Sequence, residues 1–316
     1  MLKASVISRK FVRNAMTVSL PKAQLNDLVD NQFQKILAEA ELIVADIWPD
    51  PPKPNPILNP KQESDRVDPS DGLLQLVDKI KYVNTDTYGT PGFVRLVDCM
   101  PRYIPKDCTH LMCDHAIVQA ARVSFNEGIK TPEKDKNLID FLIKHKHTSP
   151  FEMVKFKFHI KCPIFVQRQW IRHRTANVNE ISGRYSVMKG EFYCPRTIYD
   201  QGKLNKQMSG NEITDHETKY IFDEYMTNSY KQYNIYNNLI KKGVSREIAR
   251  IGLPQNMYTE FYWSTDLHNL LNFIRLRSAP NAQSEIKEYS DAMKELITDL
   301  CPNTIEAYDK YSHTSS

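Results

Sequence analysis

Between Arg168 and Ser186 the chain reads RQWIRHRTANVNEISGRYS, in which nineteen residues hold four arginines, one histidine and a single acid, Glu180. Guanidinium groups present a rigid fork of donors that matches phosphate oxygens two at a time. A charge-assisted hydrogen bond contributes about 1.5–3 kcal/mol net, so two or three such arginines are enough for micromolar binding of a phosphate ester. Backbone cradles are not encoded: there is neither a G-x-G-x-x-G nor a G-x-x-x-x-G-K-[ST] run, and only ten glycines in 316 residues. Any phosphate therefore falls to side chains. Charge alone also fits a blander interpretation, a solvated basic helix end with an internal ion pair.

The elements around this stretch decide how it is presented. VKFKFHIK (Val154–Lys161) alternates as a strand, with Val154, Phe156, Phe158 and Ile160 on one face. Pro163 then opens a helix at its favoured first position. If that helix runs to about Arg174, Gln169, Arg172 and His173 fall on one face. TANVNEISG leaves the helix as turns, and Glu180, amid four arginines, neutralises or orients them. GFVRLVDCM and MYTEFYWST read as strands. HLMCDHAIVQAARVSF, EKDKNLIDFLIKHKH, SREIARIG, DLHNLLNFIRLR and a final NAQSEIKEYSDAMKELITDL read as helices. Thr214 with Glu217 forms a capping box for a long helix that ends at Lys241, Lys242 and Gly243. The sum is an α+β fold, an antiparallel or mixed sheet packed with long helices.

Upstream, residues 21–47 carry a helical apolar pattern. Six prolines between Pro49 and Pro60 then make a stiff linker, and a short helix is expected over Leu73–Tyr82. The expected division is an N-terminal extension, 1–87, and a catalytic domain, 88–316. Residues 1–26 are basic and acid-free, which suits an organelle targeting segment or a basic tail. The rest of the composition fits a cytoplasmic protein: a formal charge of +4, 41% apolar residues, no apolar run long enough to span a bilayer, and six scattered cysteines expected as reduced thiols. Neither nucleic acid nor membrane is expected as a partner. Cys108, His110, Cys113 and His115 are crowded as zinc ligands can be, but the spacing lacks a second ligand pair, and no metal is expected.

The order of residues is more specific than their charge. Arg172-His173-Arg174, seven residues and then Ser182 resemble the RHR-x7-S signature of the flavin-dependent thymidylate synthase family. AARVSF (Ala120–Phe125), SPFE (Ser149–Glu152), REIAR (Arg246–Arg250), NFIRLR (Asn272–Arg277) and AQSEI (Ala282–Ile286) follow the family's order. The resemblance covers residues 88–312.

It implies reductive methylation of dUMP to dTMP, with 5,10-methylenetetrahydrofolate as one-carbon donor and NADPH-reduced FAD as hydride source. It also implies a homotetramer with active sites shared between subunits. By resemblance dUMP is held by Gln169, Arg172, Glu180, Ser182, Gly183, Arg184, Arg250 and Arg277. Arg277 is the implied catalytic residue, polarising the uracil. FAD is held by Ser124, His147, Ser149, Arg172, His173, Arg174, Glu180, Asp266, His268 and Asn272. Ser182 lacks the base and orienter that a nucleophile needs, and donation to dUMP suits it better. Cys162, Cys194 and Cys301 each precede a proline, but none lies in the context of the cysteine-dependent thymidylate synthases. The chain departs from residues common in the family at Met153, Asn177, Glu260 and Asn281, and Asp266 and His268 occupy a segment that usually helps hold flavin. A protein that keeps the fold and uses the basic groove for polynucleotide backbones is the alternative from another class.

Overall fold

The computed structural model describes residues 76–84, 91–104, 108–125, 128–195, 197–203 and 208–312. The expected helix over 21–47, the proline-rich linker and the basic segment 1–26 lie outside them. Five strands form one antiparallel sheet in the order β1-β2-β3-β7-β4: β1 Ile80–Val83, β2 Gly92–Met100, β3 Lys155–Pro163, β7 Tyr258–Asp266 and β4 Asn177–Glu180. A separate hairpin pairs β5 (Tyr199–Gln201) with β6 (Ser209–Glu212). The helices are α1 Asp114–Arg122, α2 Pro132–Lys144, α3 Ile164–Trp170, α4 His216–Lys241, α5 Arg246–Ala249, α6 Leu267–Arg277, α7 Ser284–Thr298 and α8 Pro302–Ser312.

The alternation read in β3 is real. Phe156, Phe158 and Ile160 are buried with Val94 and Leu96 of β2 and Phe261 and Trp263 of β7, beneath α6 and α7. Burying a side chain of this size stabilises by about 1.5–3 kcal/mol relative to exposure. Trp170, at the end of α3, packs on Phe273 of α6 at 4.8 Å and edge-on to Trp263 at 5.7 Å. This aromatic block fixes α3 and α6 relative to β7. On the opposite face Lys161 is buried rather than solvated, because Glu191 pairs with it at 3.0 Å and its ammonium lies over the Tyr258 ring.

Several local expectations are corrected. Pro163 is the N-cap of α3 and closes β3, and the helix stops at Trp170 rather than near Arg174. Residues 177–180 are a strand, not turns: four exposed residues, three of them polar, give too short a pattern to signal one, and they are ordered by pairing with β7. Ile80–Val83 is a strand paired with β2 where a helix was expected, and it lies upstream of residue 88. The cap of α4 is Asp215, whose carboxylate accepts from Thr218 N at 2.8 Å, one residue beyond Thr214. The C-terminal expectation holds, with Gly243 at φ +83°. The helix α8 has no counterpart in the sequence reading. Its first turn is capped from α1, as Asp114 accepts from Asn303 N at 2.9 Å and from Thr304 N and Oγ1 at 3.2 and 2.6 Å.

All six cysteines are buried thiols. His115 Nδ1 lies 2.7 Å from Met112 O, and His110 faces Asp135, so the crowded Cys108–His115 segment is engaged piecewise. Among the described residues no three His, Cys, Asp or Glu side chains converge as metal ligands would. No described helix is long and apolar enough to cross a membrane.

Candidate active site

The RHR triplet follows α3 as a single turn, with Arg172 N bonded to Gln169 O and His173 N bonded to Trp170 O. The triplet and Thr175 form one wall of a cavity of about 240 Å³. The second wall is the stripe Asn269, Asn272 and Leu276 of α6 with Arg277 at the helix end. Trp263 and Thr265 of β7 form the floor. The α6 residues recur at helical spacing, and the two β7 residues share one face of the strand. Five residues of the sequence reading thus meet in one place: Arg172, His173, Arg174, Asn272 and Arg277. Thr175, Trp263, Thr265, Asn269 and Leu276 were missed, although periodicity from Asn272 and adjacency to the triplet point to them.

Arg277 is clamped. Its Nε donates to His173 Nε2 at 3.0 Å, one terminal nitrogen donates to Gln169 O at 2.9 Å, and the other reaches Gln169 Oε1 at 3.4 Å. Gln169 and His173 therefore do face one direction, through the turn rather than through a continuing helix. The His173 ring packs edge-on to Phe273, with centroids 4.8 Å apart. Burial, and then the Arg277 charge, push His173 down to about 4. Burial pulls Arg277 downward as well, but a guanidinium stays charged at neutral pH.

A second group forms where residues 182–188 fold against α5. Ser182 Oγ accepts from Arg184 N at 3.3 Å. Arg184 pairs with Glu247 at 3.2 Å, and Arg246 donates to Tyr185 O. Gly183 is a close approach: a Cβ there would stand 3.2 Å from Cδ of Arg250 and 3.3 Å from Met188. Glu180 departs from expectation. Its carboxylate accepts from Gln167 Nε2 at 2.9 Å and from Thr259 Oγ1 at 2.6 Å, not from the arginines. Two neutral partners on α3 and β7 hold it at the sheet edge.

The remaining residues lie outside the cavity lining. Asp266 is the N-cap of α6, and Asn269 engages both of its oxygens. His268 occupies the first turn of that helix. Ser149 opens a 3-10 turn, Ser149–Met153, which packs on α1 and α6. His147 is exposed, with its ring 5.7 Å from Phe141, and Ser124 is exposed in the turn after α1. Glu260 pairs with His159 at 3.3 Å and Lys189 at 3.1 Å on the outer sheet face, which pushes it down to about 2.

A five-stranded α+β domain that lines a cavity with guanidinium, imidazole and amide groups carries the donor set that suits an anionic ligand such as a phosphate ester, in a non-Rossmann design without a glycine-rich loop. Comparison with known proteins gives the family. Residues 109–303 match the family described as thymidylate synthase complementing protein. A flavin-dependent thymidylate synthase of Thermus thermophilus is 51% identical over 220 residues, 70% of this chain and 76% of that protein. One from Dictyostelium discoideum is 48% identical over 226 residues, covering 71% and 73%. A UMP/dUMP methylase from Streptomyces cacaoi, crystallised with 5-Br dUMP, superposes with a TM-score of 0.61 at 29% identity over 76% of this chain and 99% of that one. The chain belongs to the flavin-dependent thymidylate synthase family.

Proposed function

We propose that the protein converts dUMP to dTMP, with 5,10-methylenetetrahydrofolate giving the one-carbon unit and NADPH reducing the FAD. The observation that carries this reading is Arg277, half-buried and clamped by His173 and Gln169 in the wall of a cavity formed by the RHR triplet. The uracil nucleotide in the Streptomyces methylase supports the substrate class.

The residues fit FAD. Arg172 and Arg174 match its pyrophosphate, Thr265, Asn269 and Asn272 offer hydroxyl and amide groups, and Trp263 and Leu276 give apolar surface. When bound and reduced, FAD supplies the hydride. Arg277 stabilises negative charge developing at N3 of the uracil and its neighbouring oxygen. It does so without giving up a proton, because the guanidinium is permanently charged. Gln169, Ser182, Gly183, Arg184 and Arg250 bind and orient dUMP, with Glu180 held nearby at the sheet edge by Gln167 and Thr259.

Two facts support a homotetramer with shared active sites. The cavity, about 240 Å³, is below the roughly 300–1,000 Å³ of small-molecule sites, so the described residues of one chain enclose only part of a dinucleotide. Large apolar side chains also stand exposed beside site residues, including Phe125 at 74% and Tyr185 at 81%. Six buried thiols fit a reducing compartment such as the cytoplasm.

The test is a visible spectrum of the purified protein, NADPH oxidation with and without dUMP, and dTMP formation on adding methylenetetrahydrofolate. Yellow protein, four chains by light scattering, and dTMP that falls on the order of 100- to 1,000-fold in Arg277→Ala are expected. Colourless protein that binds neither FAD nor dUMP, but binds polynucleotide with steep salt dependence, would overturn the reading.

A further inference from the structure

A guanidinium only donates, so the Gln169 side chain must turn its oxygen toward Arg277. That leaves its nitrogen facing away, and the acceptor it meets is Oε1 of Gln283. The three residues form a chain of one polarity, from Arg277 through Gln169 to Gln283. If the Gln169 amide flips, its NH2 group faces the guanidinium, donor against donor. Arg277 fixes the polarity of the chain, and the bond to Oε1 of Gln283 restrains the Gln169 amide in the productive orientation.

The position of Gln283 gives an independent reason to assign it this task. It is the N-cap of α7, with φ −62° and ψ 135°, yet its side chain makes no cap hydrogen bond. Ser, Thr, Asp and Asn are the side chains that cap well, and Gln is not among them. The sequence therefore forgoes a cap at the start of a fifteen-residue helix and directs the side chain to Gln169 instead.

We propose that Gln283 is a positioning residue for Arg277, acting through the orientation of the Gln169 amide. The inference rests on the reading of Arg277 as the group that acts on the uracil. Gln283→Ser removes the acceptor and installs a helix cap. Its kcat for dTMP formation should fall roughly 3- to 10-fold, the equivalent of one net hydrogen bond, while its Tm rises. Gln283→Glu keeps an acceptor oxygen and should retain turnover within about twofold of the parent.

Loosening Arg277 also withdraws one cause of the His173 shift. In Gln283→Ser the imidazole, followed by carbon-13 NMR and assigned through His173→Gln, should titrate above its starting value of about 4. A role confined to the helix would leave that signal unmoved. Unchanged kcat in Gln283→Ser, or a loss of kcat with a parallel loss of Tm, would overturn the proposal. Full activity in Arg277→Ala would instead remove the reading beneath it, so the two failures are separable.

Discussion

Arg277 has no acceptor atoms, so its 3.0 Å contact with His173 Nε2 requires a neutral imidazole carrying its proton on Nδ1. The folded-state pKa is depressed from 6.5 to about 4. Between those values the unfolded chain binds a proton that the folded chain refuses. Stability therefore falls as pH drops from 6.5 toward 4 and is unaffected by this group above 6.5. Replacing His173 by Gln, which keeps an acceptor and cannot titrate, should flatten that part of the profile. Urea midpoints at a series of pH values would show it, and an equal slope in both proteins would count against the assigned tautomer. At this scale the sequence was informative where identity and order mattered. The triplet, Asn272 and Arg277 were named and are neighbours in one cavity. The partners of Glu180 were not legible, because Gln167 and Thr259 come from separate elements and neither is charged.

The elements that position the site are held by contacts distant in sequence, and α8 is an example. Its first amides are capped by Asp114, buried in α1, nearly 190 residues earlier. Removing that carboxylate leaves buried donors without a partner, which costs about 1–3 kcal/mol beyond the lost cap. Asp114→Ala should thus lower unfolding free energy by about 2–4 kcal/mol in urea titrations, with dTMP formation per folded molecule preserved, since α8 lies away from the cavity. A fall in specific activity at full occupancy of the folded state would refute the separation. The same non-local character explains what sequence reading could and could not give. Strands β2, β3 and β7 and helices α2, α4, α6 and α7 carry their own periodicity and were legible. Strand β4, four exposed residues long, exists because β7 offers it an edge. Strand β1 likewise needs β2. The cap of α4 moved by one residue because Asp215 offers the carboxylate where Thr218 N can reach it.

For the whole molecule, the sheet order and the aromatic block on β7 set the distribution of function. The cavity gathers the ends of α3, α6 and β7, while Ser182, Gly183, Arg184 and Arg250 gather around α5. The family's expected site residues are thus divided between two places on one chain, and exposed apolar side chains adjoin both. A sequence names the residues of such a site without saying which surfaces complete it.

The cations that line the cavity, and that are proposed to hold a phosphate, are side chains, and Arg172 and Arg174 are exposed. An amide nest would hold its partial charges in rigid backbone. These guanidinium groups share their field with the surrounding electrolyte, whose screening distance shrinks from about 10 Å at 0.1 M to about 3 Å at 1 M. Ionic strength thus becomes a control on occupancy. Calorimetric titration of the flavin-free protein with FAD should show Kd weakening steadily as sodium chloride rises, and inorganic sulfate should displace FAD more effectively than chloride at equal ionic strength. A Kd indifferent to salt would mean that neutral donors, and not the arginines, hold the phosphate.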